Sequence, residues 1–291
     1  MSAAFTYEEF IQRNQGFIDS AGQEQLRSAQ VFVCGVGGMG GACLQSLLRA
    51  GVGRFTLADF DVFELSNLNR QVFANLDTVG VGKVEATVRQ ALRINPQLQI
   101  ETLDQHWPER LDALLASHKL VINGMDDLAA GIILYRKARQ HGATVIDAYT
   151  APLPSVTVVQ PRDPRPEERL RYPSLGIDWR ALEPATVQQC LALEIEYVLV
   201  NSSSAKHVDL NVARELLAGR RKRMSFAPMV ILTGNLMAFE AVKIILGRQP
   251  LAGHKGYFFN PWTMQVEKPR NALASWLMRL AVQRFMARLM Q

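Results

Sequence analysis

Short β-branched apolar runs alternate with longer stretches of helical spacing as far as Pro161. Residues 6–28 are polar and helix-prone. The run VFVC, Val31 to Cys34, then enters the glycine segment GVGGMGG, and a helix is expected from about Gly38 to Ala50. RFTLADFD is the second strand and ends on acids. GKVEATVRQALRIN carries apolar residues at helical spacing, and LQIETL follows as a strand. RLDALLAS reads as a helix, KLVINGMDD as a strand that again ends in acids, and LAAGIILYRKARQHG as a helix closed by Gly142. ATVIDAYT and PSVTVVQP read as further strands.

This alternation predicts an α/β fold: a Rossmann-like, mainly parallel sheet with helices on both faces. The texture changes at Pro161, where PRDPRPEERLRYPSLGIDW is dense in proline and charge and reads as a crossover or loop. Helical patches follow at about 185–194 and 208–219, then a long helix ending near Gly247. Two strands, KGYFFN and MQVEKP, precede a C-terminal helix. The second half thus extends the same sheet. The expected organisation is an N-terminal helical arm (1–29), one large domain (30–268, with its crossover at about 161–225) and an amphipathic C-terminal helix (269–291). In that helix Met278, Val282, Phe285 and Leu289 form one apolar stripe, with Arg279, Arg284 and Arg288 off it. Packing on the protein's own body or across a dimer is the favoured reading, ahead of contact with anionic lipid or RNA.

Composition narrows the class of protein but does not change it. An apolar share of 48% with 20% charged residues is that of a soluble globule. The most apolar stretch, MVILTGNLMAFEAVKIIL, is interrupted by Asn235, Glu240 and Lys243, so no membrane span is expected. The N-terminus lacks the basic start and apolar core of a secretion signal. Three cysteines (Cys34, Cys43 and Cys190) are too few for a disulfide scaffold, and a reducing cytoplasm is the expected location. The net charge of +5 is concentrated in GRRKR at 219–223 and in the C-terminal segment. Such clusters hold RNA or phosphate, although a solvated helix end is the simpler reading.

The candidate chemistry lies around the glycines. Gly35, Gly37 and Gly40, with Gly38 among them, stand at G-x-G-x-x-G spacing between a strand and a helix. There bare backbone and a helix N-terminus accept phosphate oxygens. Asp59, about twenty residues on and followed by Asp61, ends the next strand, where a carboxylate accepts ribose hydroxyl protons. Up to this point NAD and ATP fit equally. Asn67 and Arg70, directly after the acids, favour ATP: a guanidinium forks onto phosphate oxygens and an amide orients them. Lys83 adds a point charge at the start of a helix. Each cation alone would read as a surface charge. Asp126 and Asp127 follow a strand in the region of the ligand crevice, the first a candidate metal ligand and the second a candidate helix cap. His207 reads as a helix-start residue.

On GVGGMGG, LADFDVFELSNLNRQ, VGVGKVE, RINP, NGMDD and GNLMAFEAVKIILG, in this order and spacing, the chain resembles the ubiquitin-activating-enzyme-like adenylyltransferases. This is the ThiF, MoeB and HesA group of sulfur-carrier activators. The resemblance runs from about Arg13 to Lys268. It implies ATP-dependent adenylation of a carboxylate, with Asp59 on the ribose, Asn67, Arg70 and Lys83 on the phosphates, and Asp126 linked to Mg2+. It also implies a homodimer in which Arg13 reaches the partner's site, and an acceptor that is the C-terminus of a small ubiquitin-like or sulfur-carrier protein or a peptide.

Three departures matter. Gly131 stands where members commonly carry an arginine, five residues after Asp126. The two CxxC pairs of zinc-binding members are missing, so no zinc is expected. Only Cys190 is available as a thioester cysteine, and its apolar segment reads as a buried structural thiol. Two alternatives stay open: a tRNA-modifying carboxylate-activating dehydratase of the same family, and an NAD-dependent oxidoreductase.

Overall fold

The computed structural model describes residues 5–217, 220–221 and 224–289. An arm of α1 (Tyr7–Phe10), a 3-10 turn (Gln12–Asn14) and α2 (Ser20–Ser28) precedes β1 (Gln30–Cys34), α3 (Gly38–Arg49) and β2 (Arg54–Ala58). The alternation continues through α4 (Lys83–Ile94), β3 (Gln99–Thr102), α5 (Leu111–Ser117), β4 (Leu120–Asn123), α6 (Leu128–Gln140) and β5 (Thr144–Asp147). Then come β6 (Ser155–Val159), α7 (Pro166–Arg169), α8 (Pro184–Asn201), α9 (Leu210–Leu217) and α10 (Ala227–Ile245). The chain ends with β7 (Tyr257–Asn260), β8 (Gln265–Glu267) and α11 (Ala272–Leu289).

One eight-stranded sheet runs in the order β3-β2-β1-β4-β5-β6-β7-β8. The first five strands are parallel, and β6, β7 and β8 join antiparallel. The expected parallel run therefore stops at β5. Its connection to β6, residues 148–154, is too short for the crossover that a parallel neighbour requires. The proline-rich stretch read as a loop contains the single turn α7, and α8 is longer than the patch expected there.

Side-chain alternation in the buried strands divides the core. Val31 and Val33 face α3, α4 and α10, together with Leu44, Leu47 and Met237. Phe32 and Cys34 face α5 and α6, with Leu111, Leu115 and Leu134. Each of these fully buried leucines contributes roughly 1.5–3 kcal/mol. Among the described helices α10 alone is long and apolar enough to cross a membrane. It lies against α3, so closely that a Cβ on Gly234 would stand 2.5 Å from the Met39 carbonyl oxygen. Cys34 and Cys43 are buried packing residues, as expected.

The arm is fastened to the turn after α3. Tyr7 donates to the Gly51 carbonyl at 2.8 Å, and Asn14 and Gln23 both donate to that of Ala50. At the other end α11 packs on α8. Val282 is buried, Met278 and Phe285 are half-buried, and Arg279 lies 2.7 Å from Glu196. The stripe thus rests on the protein's own body, while Leu273, Trp276 and Leu277 stay exposed. The side chains of Arg288 and Leu289, like Gly219, Lys222 and Arg223 of the basic cluster, lie outside the described residues.

Candidate active site

The strand order reverses between β1 and β4, and sheets of this kind hold ligands at the carboxyl ends of the strands flanking such a point. Here the chain leaves β1 at Gly35, with φ at 83°. A Cβ on Gly35 would stand 2.7 Å from the carbonyl carbon of Gly124, the residue that follows β4. The two strand ends are therefore in backbone contact. Gly37 begins α3, and no side chain caps the helix. Its first N–H groups and positive pole give onto a cleft of about 1080 Å3.

The acids and cations flank this cleft. Asp59 follows β2 and accepts from the N–H of Val36 at 2.9 Å and from that of Asp61 at 3.1 Å. Burial pushes its carboxyl up from the usual range, while Lys83 and those two N–H groups pull it down. Lys83 is buried and lies 2.7 Å from the exposed Asp61 carboxylate, whose residue also accepts the Lys83 backbone N–H. Asn67 is buried, and its side-chain oxygen accepts from Glu64 N–H at 3.0 Å, closing a one-turn cap. Arg70 is held by the Ser66 carbonyl (2.8 Å) and the Asn69 side chain (2.9 Å).

Gly35, Gly37, Gly38, Asp59, Asp61, Asn67, Arg70, Lys83 and Asp126 all line the one cleft. Gly40 lies beneath it, against Gly35. Asp126 is exposed, and Asp127 caps α6 by accepting from Ala130 N–H, as expected. Arg13 is not among them: it is exposed on the 3-10 turn of the arm. Among the described residues no group of three or more His, Cys, Asp or Glu could hold a metal by itself.

Two features escaped the sequence reading. Gln71 lies 3.6 Å from where a Gly37 Cβ would stand, and its Oε1 is buried with no hydrogen-bond partner among the described residues. Its place directly after Arg70 was the available signal. His207, expected at a helix start, instead ends a 3-10 turn (Ser204–His207), stacks on Trp262 and meets the Asn260 side chain at 3.0 Å. Both His207 and Trp262 line the far end of the cleft. That contact is made by residues distant in sequence, which no local pattern encodes.

Cys190 lies on α8, fully buried, and burial raises its thiol above the ordinary range. It does not line the cleft. Cys190→Ser is expected to leave nucleotide-dependent activity within about threefold of wild type. A folded Cys190→Ser protein without activity would give the thiol a chemical role.

An uncapped helix end, bare glycine backbone, a carboxylate and two cations in one strand-end cleft are the features of the nucleotide-binding class of α/β folds. The ThiF family is matched over residues 11–275, and the chain belongs to it. A molybdopterin-synthase adenylyltransferase of Salmonella typhimurium is 29% identical over 268 residues, 90% of this chain and 93% of that protein. A tRNA threonylcarbamoyladenosine dehydratase of Bacillus subtilis is 33% identical over 141 residues, 48% of this chain and 56% of that protein. Among solved structures, Escherichia coli MccB with AMPCPP and MccA superimposes with a TM-score of 0.63 at 20% identity, over 92% of this chain and 74% of that one. At that identity the likeness concerns the fold.

Proposed function

We propose that this chain adenylates a carboxylate with ATP. The observation that carries the reading is the convergence of the glycine loop, Asp59, Arg70, Lys83 and Asp126 on one cleft. An acceptor carboxylate oxygen attacks the α-phosphorus, the bond from that phosphorus to the oxygen bridging the α- and β-phosphates breaks, and pyrophosphate leaves. Asp59 holds the ribose, the glycine loop and Asn67 hold the phosphates, and Arg70 and Lys83 offset the charge that builds on their oxygens. No general base is required, because the attacking oxygen is already ionised at neutral pH. Asp126 would hold Mg2+ together with phosphate oxygens, since the ion takes few protein ligands when a nucleotide supplies the rest. Held by Asp126, it would supply positive charge to the pyrophosphate leaving group.

Arg13 stands away from its own cleft on an arm fixed to the body, which suits a residue completing the site of a second copy in a homodimer. The Salmonella relative is named for the adenylylation of molybdopterin synthase, which supports a protein or peptide C-terminus as the acceptor. The Bacillus relative supports the second reading, a carboxylate on a modified tRNA base, served by the exposed Arg220 and Arg221.

Exchange of labelled pyrophosphate into ATP tests the reaction class. Exchange should require Mg2+, and Asp126→Ala should remove that dependence along with most of the activity. Tight binding of NAD without binding of ATP would sink the proposal. If tRNA alone among acceptors stimulates AMP release, the second reading replaces the first.

A further inference from the structure

The helix α11 carries two apolar rows, and the fold uses one of them. Met278, Val282 and Phe285 turn toward α8. Leu273, Trp276, Leu277 and Leu280 are instead 69%, 57%, 55% and 40% exposed. We propose that this outer row is a membrane-binding surface, which lays α11 in the plane of an anionic bilayer.

The four exposed residues recur at i, i+3, i+4 and i+7, the spacing of a single helical row. At 3.6 residues per turn that row stands on the side of the helix away from Met278, Val282 and Phe285. Single exposed leucines are common on protein surfaces, but a contiguous row of three leucines and a tryptophan marks an interaction surface. With Arg279, Arg284 and Arg288 in its 18 residues, α11 is too polar to cross a bilayer and suits one that lies on it.

Charge chooses the partner. From Lys268 to Gln291 the chain has five cations and no acid. Glu196 on α8, an acid that meets this helix, is ion-paired with Arg279 at 2.7 Å and accepts from the Gln283 side chain at 3.1 Å. Arg284 is exposed, and it stands four residues after Leu280, so it continues the apolar row into a basic end. An anionic bilayer satisfies all three kinds of group. Leucines enter the acyl boundary, tryptophan settles at the headgroup level, and guanidinium groups meet lipid phosphates.

The other partners fit less well. RNA would take the cations but leave the leucines in water. A second copy of the chain fails on size and on charge: a stable interface engages roughly 20–30 residues a side, and pairing two such helices brings like charges together. None of the described residues of α11 lines the nucleotide cleft, so the surface is independent of the adenylation reading.

The test uses the full chain and vesicles of phosphatidylcholine, alone or mixed with phosphatidylglycerol at about 3:1. Co-sedimentation should show binding to the mixed vesicles at least 10-fold tighter than to the neutral ones, weakening as salt rises. Trp276→Glu and Leu277→Glu place a charge in the apolar row, and each should weaken binding at least 10-fold. Both positions are exposed, so the melting temperature should not move. Arg284→Glu leaves the apolar side chains in place and should weaken binding to the mixed vesicles alone; it carries the test if a variant within the row fails to fold. Brominated lipid should quench tryptophan fluorescence, and Trp276→Phe should bind normally while losing most of that quenching. Absence of binding to the mixed vesicles overturns the proposal, as does binding that all three glutamate variants leave unchanged. A dimer made monomeric by Leu277→Glu in light scattering would give the face to a second copy, and tRNA retention lost in that variant would give it to RNA; either result overturns the proposal.

Discussion

Lys83→Met should cut pyrophosphate exchange by roughly 100- to 1000-fold, the usual cost of removing one preorganised charge from a developing oxyanion, with little change in melting temperature. The two halves of this expectation have different physical sources. The ammonium is buried at the edge of the cleft and held 2.7 Å from Asp61, so its position is set before any ligand arrives. A fixed cation in a partly desolvated cleft acts on phosphate oxygens far more strongly than one in water. The stability cost is small for the opposite reason. Asp61 is exposed, so removing its partner leaves a carboxylate that water already solvates. Methionine fills the space of the lysine stem and has comparable helix propensity at the first position of α4. Arg70→Ala should show a loss of the same order. The double variant should lose less than the product of the two if both cations serve the same phosphates. Exchange by Lys83→Met within threefold of wild type, with the protein folded, would remove Lys83 from the site.

The part of the site that the sequence declared is the part built from short segments. The β1–glycine–α3 unit and the acids after β2 are encoded in one stretch, in which buried β-branched residues, glycine spacing and the next strand succeed each other directly. Asn67, Arg70 and Lys83 were legible because they follow those acids within one connection. What the sequence hid depends on distant partners. Asp147 looks like the polar end of a strand in ATVIDAYT until α6 and α7 bring Tyr135 and Arg169 to the same cavity. The antiparallel turn at β6 was hidden for a related reason: SVTVV within PSVTVVQP is buried along its length, and a fully buried strand has the same pattern in either direction. The burial of Cys190 was legible because the apolar residues around it are local to α8.

Gly40→Ala and Gly37→Ala, three residues apart in one glycine segment, should fail in different ways. A Cβ on Gly40 would stand 1.9 Å from the carbonyl oxygen of Gly35 and 3.3 Å from Gly124 Cα. Both contacts are backbone, so no rotamer change relieves them, and α3 would have to lift off the ends of β1 and β4. Alanine offers about 1 kcal/mol of helix propensity over glycine in return. That does not offset the overlap, whose cost should exceed about 3 kcal/mol. At roughly 2–4 °C per kcal/mol for a chain of this size, the melting temperature should fall by about 6 °C or more. Gly37 presents the contrary case. Its φ of −71° lies outside the left-handed region, and a Cβ there meets only the Gln71 side chain, at 3.6 Å or more. Gly37→Ala should therefore fold normally. Its methyl group, however, would project where phosphate oxygens must approach the N-terminus of α3, and ATP affinity should fall at least 10-fold, about 1.4 kcal/mol. Thermal melting and calorimetry on the two variants separate a glycine needed for the fold from one needed for the ligand. A Gly40→Ala protein that melts with wild type would contradict the packing derived for the strand ends, and a Gly37→Ala protein that binds ATP normally would move the phosphates away from the glycine loop.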